Sequence, residues 1–248
     1  MQPTYIPWLG YFDLIDQVDK FVFLDDVQVE KNSWQLRNRI KTAQGELYLS
    51  ISRKKKKGEQ LYLIKDTKVN DLSRWREKHI KSIETAYKKT DFFHDVFPFI
   101  ESLINTKTIN LSEFNMCIIR SIAERIGITK EFFISSTLSG IEGIKDQRVV
   151  IICKAIDCNA YLSPTGAAEY IDREKPAGEF LENNITLYYH NYQHPAYKQL
   201  YGDFLPYMSV VDLLFNEGFE NSLTIIRKGH RPPLDYITYR KEKQKSQQ

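Results

Sequence analysis

The chain has 248 residues, 42% hydrophobic and 27% charged, a balance that supports a folded core and excludes disorder over most of its length. Its 35 Lys and Arg against 32 Asp and Glu leave a formal charge of +3, too little by itself to argue for a nucleic-acid partner. No apolar run approaches the roughly 20 residues of a membrane span, and no basic-then-apolar opening marks a signal peptide, so the sequence reads as cytoplasmic.

The opening, MQPTYIPWLGYF, holds two prolines, Pro3 and Pro7, which force an extended loop rather than a helix. Phe12, Leu14, Ile15 and Val18 then follow at helical spacing, and a buried strand is predicted at 21–24. Further strands are predicted at 47–52, 61–64, 132–135, 160–163 and 186–189, alternating with amphipathic helices at 72–89, 92–104, 111–126, 146–156 and 209–217. This alternation predicts an α/β fold with a mostly parallel, Rossmann-like sheet and helices on both faces. The pair around 47–64, joined by RKKKKGEQ, reads as a small hairpin apart from that sheet. Residues 1–240 read as one α/β domain with a helical insertion at about 70–110, and 241–248 as a frayed polar tail. Ser73, Ser112 and Ser209 are the expected helix caps, and Gly127 the expected helix stop. A doubly wound sheet has a strand before its first ligand loop. Here that loop starts at residue 2, so a strand upstream of Met1 is expected.

Several stretches carry residues suited to chemistry. Asp25 and Asp26 fall just past the carboxyl end of the first strand, where open α/β sheets bind ligands. Beyond them stand Gln28, Lys31, Asn32, Trp34, Arg37, Asn38, Arg39 and Lys41, a mixture of amides, cations and one indole that suits phosphates joined to a sugar or base. The plain alternative is a solvated loop. Residues 161–172, YLSPTGAAEYID, place Ser163, Thr165 and Gly166 between a strand and a helix N-terminus, a place for an anion. Trp75, His79, Ile83 and Tyr87 share one helical face, so His79 is either a core histidine or part of a pocket. In the aromatic stretch 188–218, His194 beside Pro195 is the best-placed histidine for acid–base work, with Tyr197, Gln199 and Asp212 following it. The run RKKKKG at 53–58 reads first as a solvated tip. Cys117, Cys153 and Cys158 are odd in number and lack metal-ligand spacing, so no metal is assigned and a reducing compartment is expected. There is no G-x-S-x-G or HExxH motif, and covalent catalysis has no support.

Taken together, QPTYIPWLGYFDLI, FVFLDDVQ, SWQLRNRIK, YLSPTGAAEYI and YQHPAYKQLYGDFLPYMSVVDLLFNEG resemble, in order, the WbqC-like family of bacterial surface-polysaccharide and O-antigen gene clusters. The resemblance implies a transferase that N-acylates or N-aminoacylates (glycyl-type) the amine of a nucleotide-linked amino sugar, with an acyl or amino-acid donor as second substrate. The layout also resembles the start of pantothenate synthetases and related nucleotidyltransferases. Gly10 and Gln28 match, whereas Trp8 and Tyr11 stand where that family has histidines. This second resemblance implies a HUP-type sheet and ATP, with magnesium, to activate a carboxylate as an adenylate. In these terms Gln2, Pro3, Thr4, Tyr5, Trp8, Gly10 and Tyr11 form a cofactor wall with Ser163, Thr165 and Gly166. Asp25, Gln28, Lys31, Trp34, Arg37, Asn38, Lys41, Tyr197, Gln199 and Asp212 bind substrate. Asp26, His194 or His79 takes up the amine proton. The competing readings are a non-catalytic nucleotide-sugar or glycan-binding protein and an RNA-binding protein, the latter disfavoured by the 32 acidic residues.

Overall fold

The computed structural model describes residues 1–29, 33–54, 62–172 and 175–245. In chain order these form α1 (Leu9–Asp16), β1 (Lys20–Phe23), β2 (Arg37–Thr42), β3 (Gly45–Ser50), α2 (Trp75–Tyr87), α3 (Phe93–Ile104), α4 (Leu111–Arg125) and β4 (Glu131–Ile134). There follow α5 (Lys145–Ala155), β5 (Ala160–Ser163), α6 (Ala168–Ile171), β6 (Thr186–Tyr189), α7 (Val210–Lys228), β7 (Leu234–Asp235) and α8 (Tyr236–Lys245). No helix among the described residues is long and apolar enough to cross a membrane.

The architecture is mixed α/β, as the alternation implies, but the strands form three small sheets rather than one doubly wound sheet: β1 with β4, β2 with β3, and β5–β6–β7. Within the last, β5 and β6 run parallel and β7 antiparallel to β6. The expected hairpin at 47–64 is also placed differently. β3 pairs with β2 through a tight turn, Thr42 opposite Gly45. The chain at 62–65 instead lies antiparallel to residues 25–29, with Val29 N–H on the Tyr62 carbonyl at 2.7 Å and Ile64 N–H on Val27 at 2.9 Å. The run of cations in RNRIK concealed a strand, because Asn38, Ile40 and Lys41 turn inward while Arg37 and Arg39 stay part-exposed. Of the RKKKKG run, Lys55 to Gly58 lie outside the described residues.

The described residues group into two compact units, Met1–Phe133 with His194–Gly229, and Ile134–Gln193 with His230–Gln248. The core of the first gathers Tyr5, Phe12, Phe23, Ile40, Tyr87, Phe114 and Phe215, each at most 1% exposed. Tyr87 stacks flat on Phe215, centroids 4.6 Å apart. Helix α4 is capped by Asn110, whose side chain accepts from Glu113 N–H at 3.1 Å, not by Ser112, which is buried within the helix. It ends at Gly127 as expected, with Ile128 N–H bonded to the Ala123 carbonyl at 2.8 Å. Ser73 does not cap α2; its hydroxyl donates to the Asn70 carbonyl at 2.8 Å. Ser209 does cap α7, accepting from Val211 N–H at 3.2 Å. The apolar pattern of α7 halts near residue 217 because Gly218 (φ 75°) kinks the helix, and a Cβ there would lie 2.7 Å from the Phe92 ring. The second unit packs Val150, Cys153, Ile171, Phe180, Leu187 and Tyr189 between its helices and the β5–β6–β7 sheet.

Candidate functional site

The opening loop is held by its carbonyls. Tyr11 Oη donates to the Gln2 carbonyl at 2.9 Å, and Asn115 Nδ2 on α4 to that of Pro3 at 3.0 Å. Asn38 Nδ2 on β2 donates to Tyr5 and Ile6 at 3.1 and 2.9 Å, and Val210 N–H to Pro7 at 2.8 Å. Buried peptide carbonyls left without donors are costly, so these side chains dictate the path of the loop. They even hold Ile6 at φ 35°, a conformation that branched residues avoid. The two prolines keep the segment extended, and the asparagines fix where it runs.

Against this loop lies a cavity of about 310 Å³. Trp8, Tyr11, Trp34 and Tyr207 supply aromatic walls, Thr4, Asn38 and Arg39 polar groups, and Met1 and Pro7 complete the lining. The Trp8 indole lies parallel to the His194 ring (centroids 6.0 Å, 10°) and edge-on to Tyr207 (5.5 Å, 61°). Gly10 makes this possible, because a Cβ there would stand 2.2–2.7 Å from three indole atoms. Arg39 Nη1 donates to both carboxylate oxygens of Glu46 at 2.9 Å, and its Nε to the Tyr207 carbonyl at 3.3 Å. At this size the cavity accommodates one ring, a pyranose or a base, between stacking faces.

His194 meets the cavity wall as a fixed neutral ring. The Tyr207 amide can only donate, so Nε2 accepts from it at 3.1 Å, and Nδ1–H then donates to the Pro195 carbonyl at 2.9 Å. Burial pushes its pKa below the usual histidine value.

Lys41, Tyr197, Gln199 and Asp212, all expected to bind substrate, do come together, but with one another. Asp212 is 1% exposed and accepts from Tyr87 Oη, Tyr197 Oη and Gln199 Nε2, each at 2.8 Å. Lys41 Nζ donates to the Asp203 carbonyl at 2.5 Å and Gln199 Oε1 at 3.2 Å. Burial raises the Asp212 carboxyl above the usual range, opposed by its three donors and by the charge of Lys41. The cluster fastens the chain after His194 to α7.

The other expected site residues lie elsewhere. His79 is 5% exposed, packed against Tyr5 and Trp75, with the Tyr5 hydroxyl 2.9 Å from Nδ1. Burial lowers its pKa to about 4, against a hydrogen bond to the Ser50 backbone. Asp25 is buried and Asp26 half-buried just past β1, as expected, and Gln28 is exposed, bridged to Leu63. Arg37 stacks over Tyr48 at 4.9 Å, and Lys31 and Asn32 lie outside the described residues. Gln2 and Pro3 belong to the loop itself. Ser163, Thr165 and Gly166 belong to the second unit, where Ser163 is buried, the other two are exposed, and the helix that follows has only 4 residues. Sequence reading missed Tyr207 and Asn115 as site residues, and placed Arg39 in the ligand stretch without singling it out. The strand alternation of RNRIK would have separated Arg39 from its inward neighbours, and a lone Asn inside the apolar pattern of α4 was the signal for Asn115.

A model of the WbqC-like protein family matches residues 2–223. An uncharacterized protein of Mycobacterium tuberculosis is 33% identical over 222 residues, covering 89% of this chain and 93% of its own. No solved structure matches the chain.

Proposed function

This chain belongs to the WbqC-like protein family, and from that premise we propose that it acts on a nucleotide-linked amino sugar of bacterial surface-polysaccharide biosynthesis. One ring of that molecule occupies the aromatic cavity while an acyl or aminoacyl (glycyl-type) group is joined to the sugar amine. The observation that carries this reading is the cavity itself. Trp8 and Tyr207 offer π faces to a sugar or base, and Trp34 stands 49% exposed at its lining. Amide formation requires the sugar ammonium to lose a proton before its nitrogen attacks an activated carboxyl carbon, and the leaving group departs with the displaced electron pair. The cavity does not fit a whole ATP. It has room for about one ring, its guanidinium is paired with Glu46, and Lys41 is committed to the buried network.

One observation favours the non-catalytic alternative. Among the described residues that line the cavity there is no carboxylate, and both nitrogens of His194 are engaged. A single experiment separates the two. UDP- and dTDP-linked amino sugars are titrated by thermal shift, where a ligand at 100 times its Kd stabilises by about 2.7 kcal/mol. Mass spectrometry then follows the sugar with acyl and amino-acid donors present. Binding with a mass gain at the amine supports the transferase, and binding without product supports the alternative. No shift with any sugar nucleotide overturns both.

A further inference from the structure

We propose that residues 194–207 form a gate over the aromatic cavity, latched by the buried carboxylate of Asp212. None of these residues is fully buried, unlike Met208, Ser209 and Val210, which follow at 0% exposure. The ring contacts of the segment are largely internal, Phe204 with Tyr197 and His194, apart from Trp8 against His194 and Tyr207, and polar bonds tie the rest of it to the unit. Tyr197 and Gln199 reach Asp212, Lys41 reaches the Asp203 carbonyl, Leu200 N–H reaches Asn216 Oδ1 at 3.1 Å, and Tyr201 Oη reaches the Ala86 carbonyl at 3.0 Å. Left-handed backbone occurs at its middle, Tyr201 (φ 65°) with Gly202 (φ 69°), and at its end, Tyr207 (φ 60°), the points where the segment turns. Its last residue, Tyr207, is a wall of the cavity and packs on Trp8.

A segment held by apolar burial loses that burial when it lifts. Here, lifting returns the Asp212 carboxylate and the Lys41 ammonium to water, which offsets much of what the broken hydrogen bonds cost. Opening of this segment is thus cheaper than unfolding of the unit, a local opening of the kind that ligand-gating loops use.

The inference rests on the cavity reading only in calling the space a ligand site, and its test needs no ligand. In a Trp34→Phe background, Trp8 is the indole that acrylamide can reach, because Trp75 is 3% exposed. Tyr197→Phe removes one donor to Asp212. The expected result is a severalfold rise in Trp8 quenching and about tenfold faster hydrogen exchange in peptides covering 198–207, still well ahead of exchange in α4, with a melting temperature a few degrees lower because the closed state loses the same contact. Lys198→Ala, which removes only an exposed ion pair with Asp91, leaves both readouts as they were. Unchanged quenching in Tyr197→Phe, or exchange in 198–207 that is no faster than in α4, overturns the gate. Raised quenching together with a failed sugar-nucleotide panel sinks the cavity reading and leaves the gate standing.

Discussion

His79 provides the sharpest test of the packing around the opening loop. Its ring is 5% exposed, and burial lowers its pKa from 6.5 to about 4. A histidine depressed in this way binds its proton less well folded than unfolded. It therefore contributes stability above pH 6.5, and that contribution drains away as the pH falls towards 4. At about 1.4 kcal/mol per pH unit the whole gap is worth about 3 kcal/mol, of which about 2 kcal/mol is lost between pH 7 and pH 5. The perturbation is His79→Gln, which keeps a polar side chain but cannot titrate. The assay is urea unfolding of both proteins at pH 7, 6 and 5. The wild type is the more stable at pH 7, and its advantage shrinks by about 2 kcal/mol on reaching pH 5. Subtraction cancels the other four histidines, because both proteins share them. Parallel curves across this range would refute the argument, for they would mean that the ring meets water and titrates normally.

Asn38→Ala leaves the carbonyls of Tyr5 and Ile6 without their donor and is expected to cost about 2–4 kcal/mol in urea unfolding; Asn38→Asp, which loses the same N–H groups, rescues none of it. Gly10→Ala gains about 1 kcal/mol of helix propensity but drives a Cβ into the Trp8 indole. Its melting temperature changes little, while tryptophan emission shifts and affinity for a sugar nucleotide falls at least about tenfold, the equivalent of about 1.4 kcal/mol. The raised carboxyl of Asp212 holds its proton more tightly folded than unfolded, so its contribution is complete below about pH 3.8 and declines as the pH climbs through its folded value. The stability difference between wild type and Asp212→Asn, followed by urea unfolding from pH 3.5 to 7, is expected to fall with rising pH.

Where a signal was local, the sequence carried it. Strands β5 and β6 lie at the expected residues because each is a short apolar run bounded by turn residues, and α3 and α4 follow their 3.6-residue periodicity to within a residue. What was not legible depended on partners far away in the chain. β2 looked like a polar loop because its cations are read without Tyr48, Glu46 and Tyr207, which neutralise or cover them. Lys41 and Asp212 were recognised as unusual, but whether such a pair faces a ligand or each other depends on Tyr87, whose place on a helical face says nothing about its hydroxyl. The size of the sheets was likewise hidden, since pairing is decided between strands and not within them.

The capture of the opening loop also has a consequence for how the protein is made. Pro3 waits for an amide 112 residues further on, and Pro7 for the N–H of Val210. At a synthesis rate of about 5–20 residues per second, Tyr5, Trp8 and Tyr11 leave the ribosome about 10–40 s before the last clamp of their loop exists. During that interval these aromatic side chains lack their native cover and are open to non-native contacts. The cavity is therefore the first part of the unit to be translated and among the last to be assembled. Codon choices that slow elongation between α4 and α7 are expected to lower the soluble yield more than the same delays placed after Lys228.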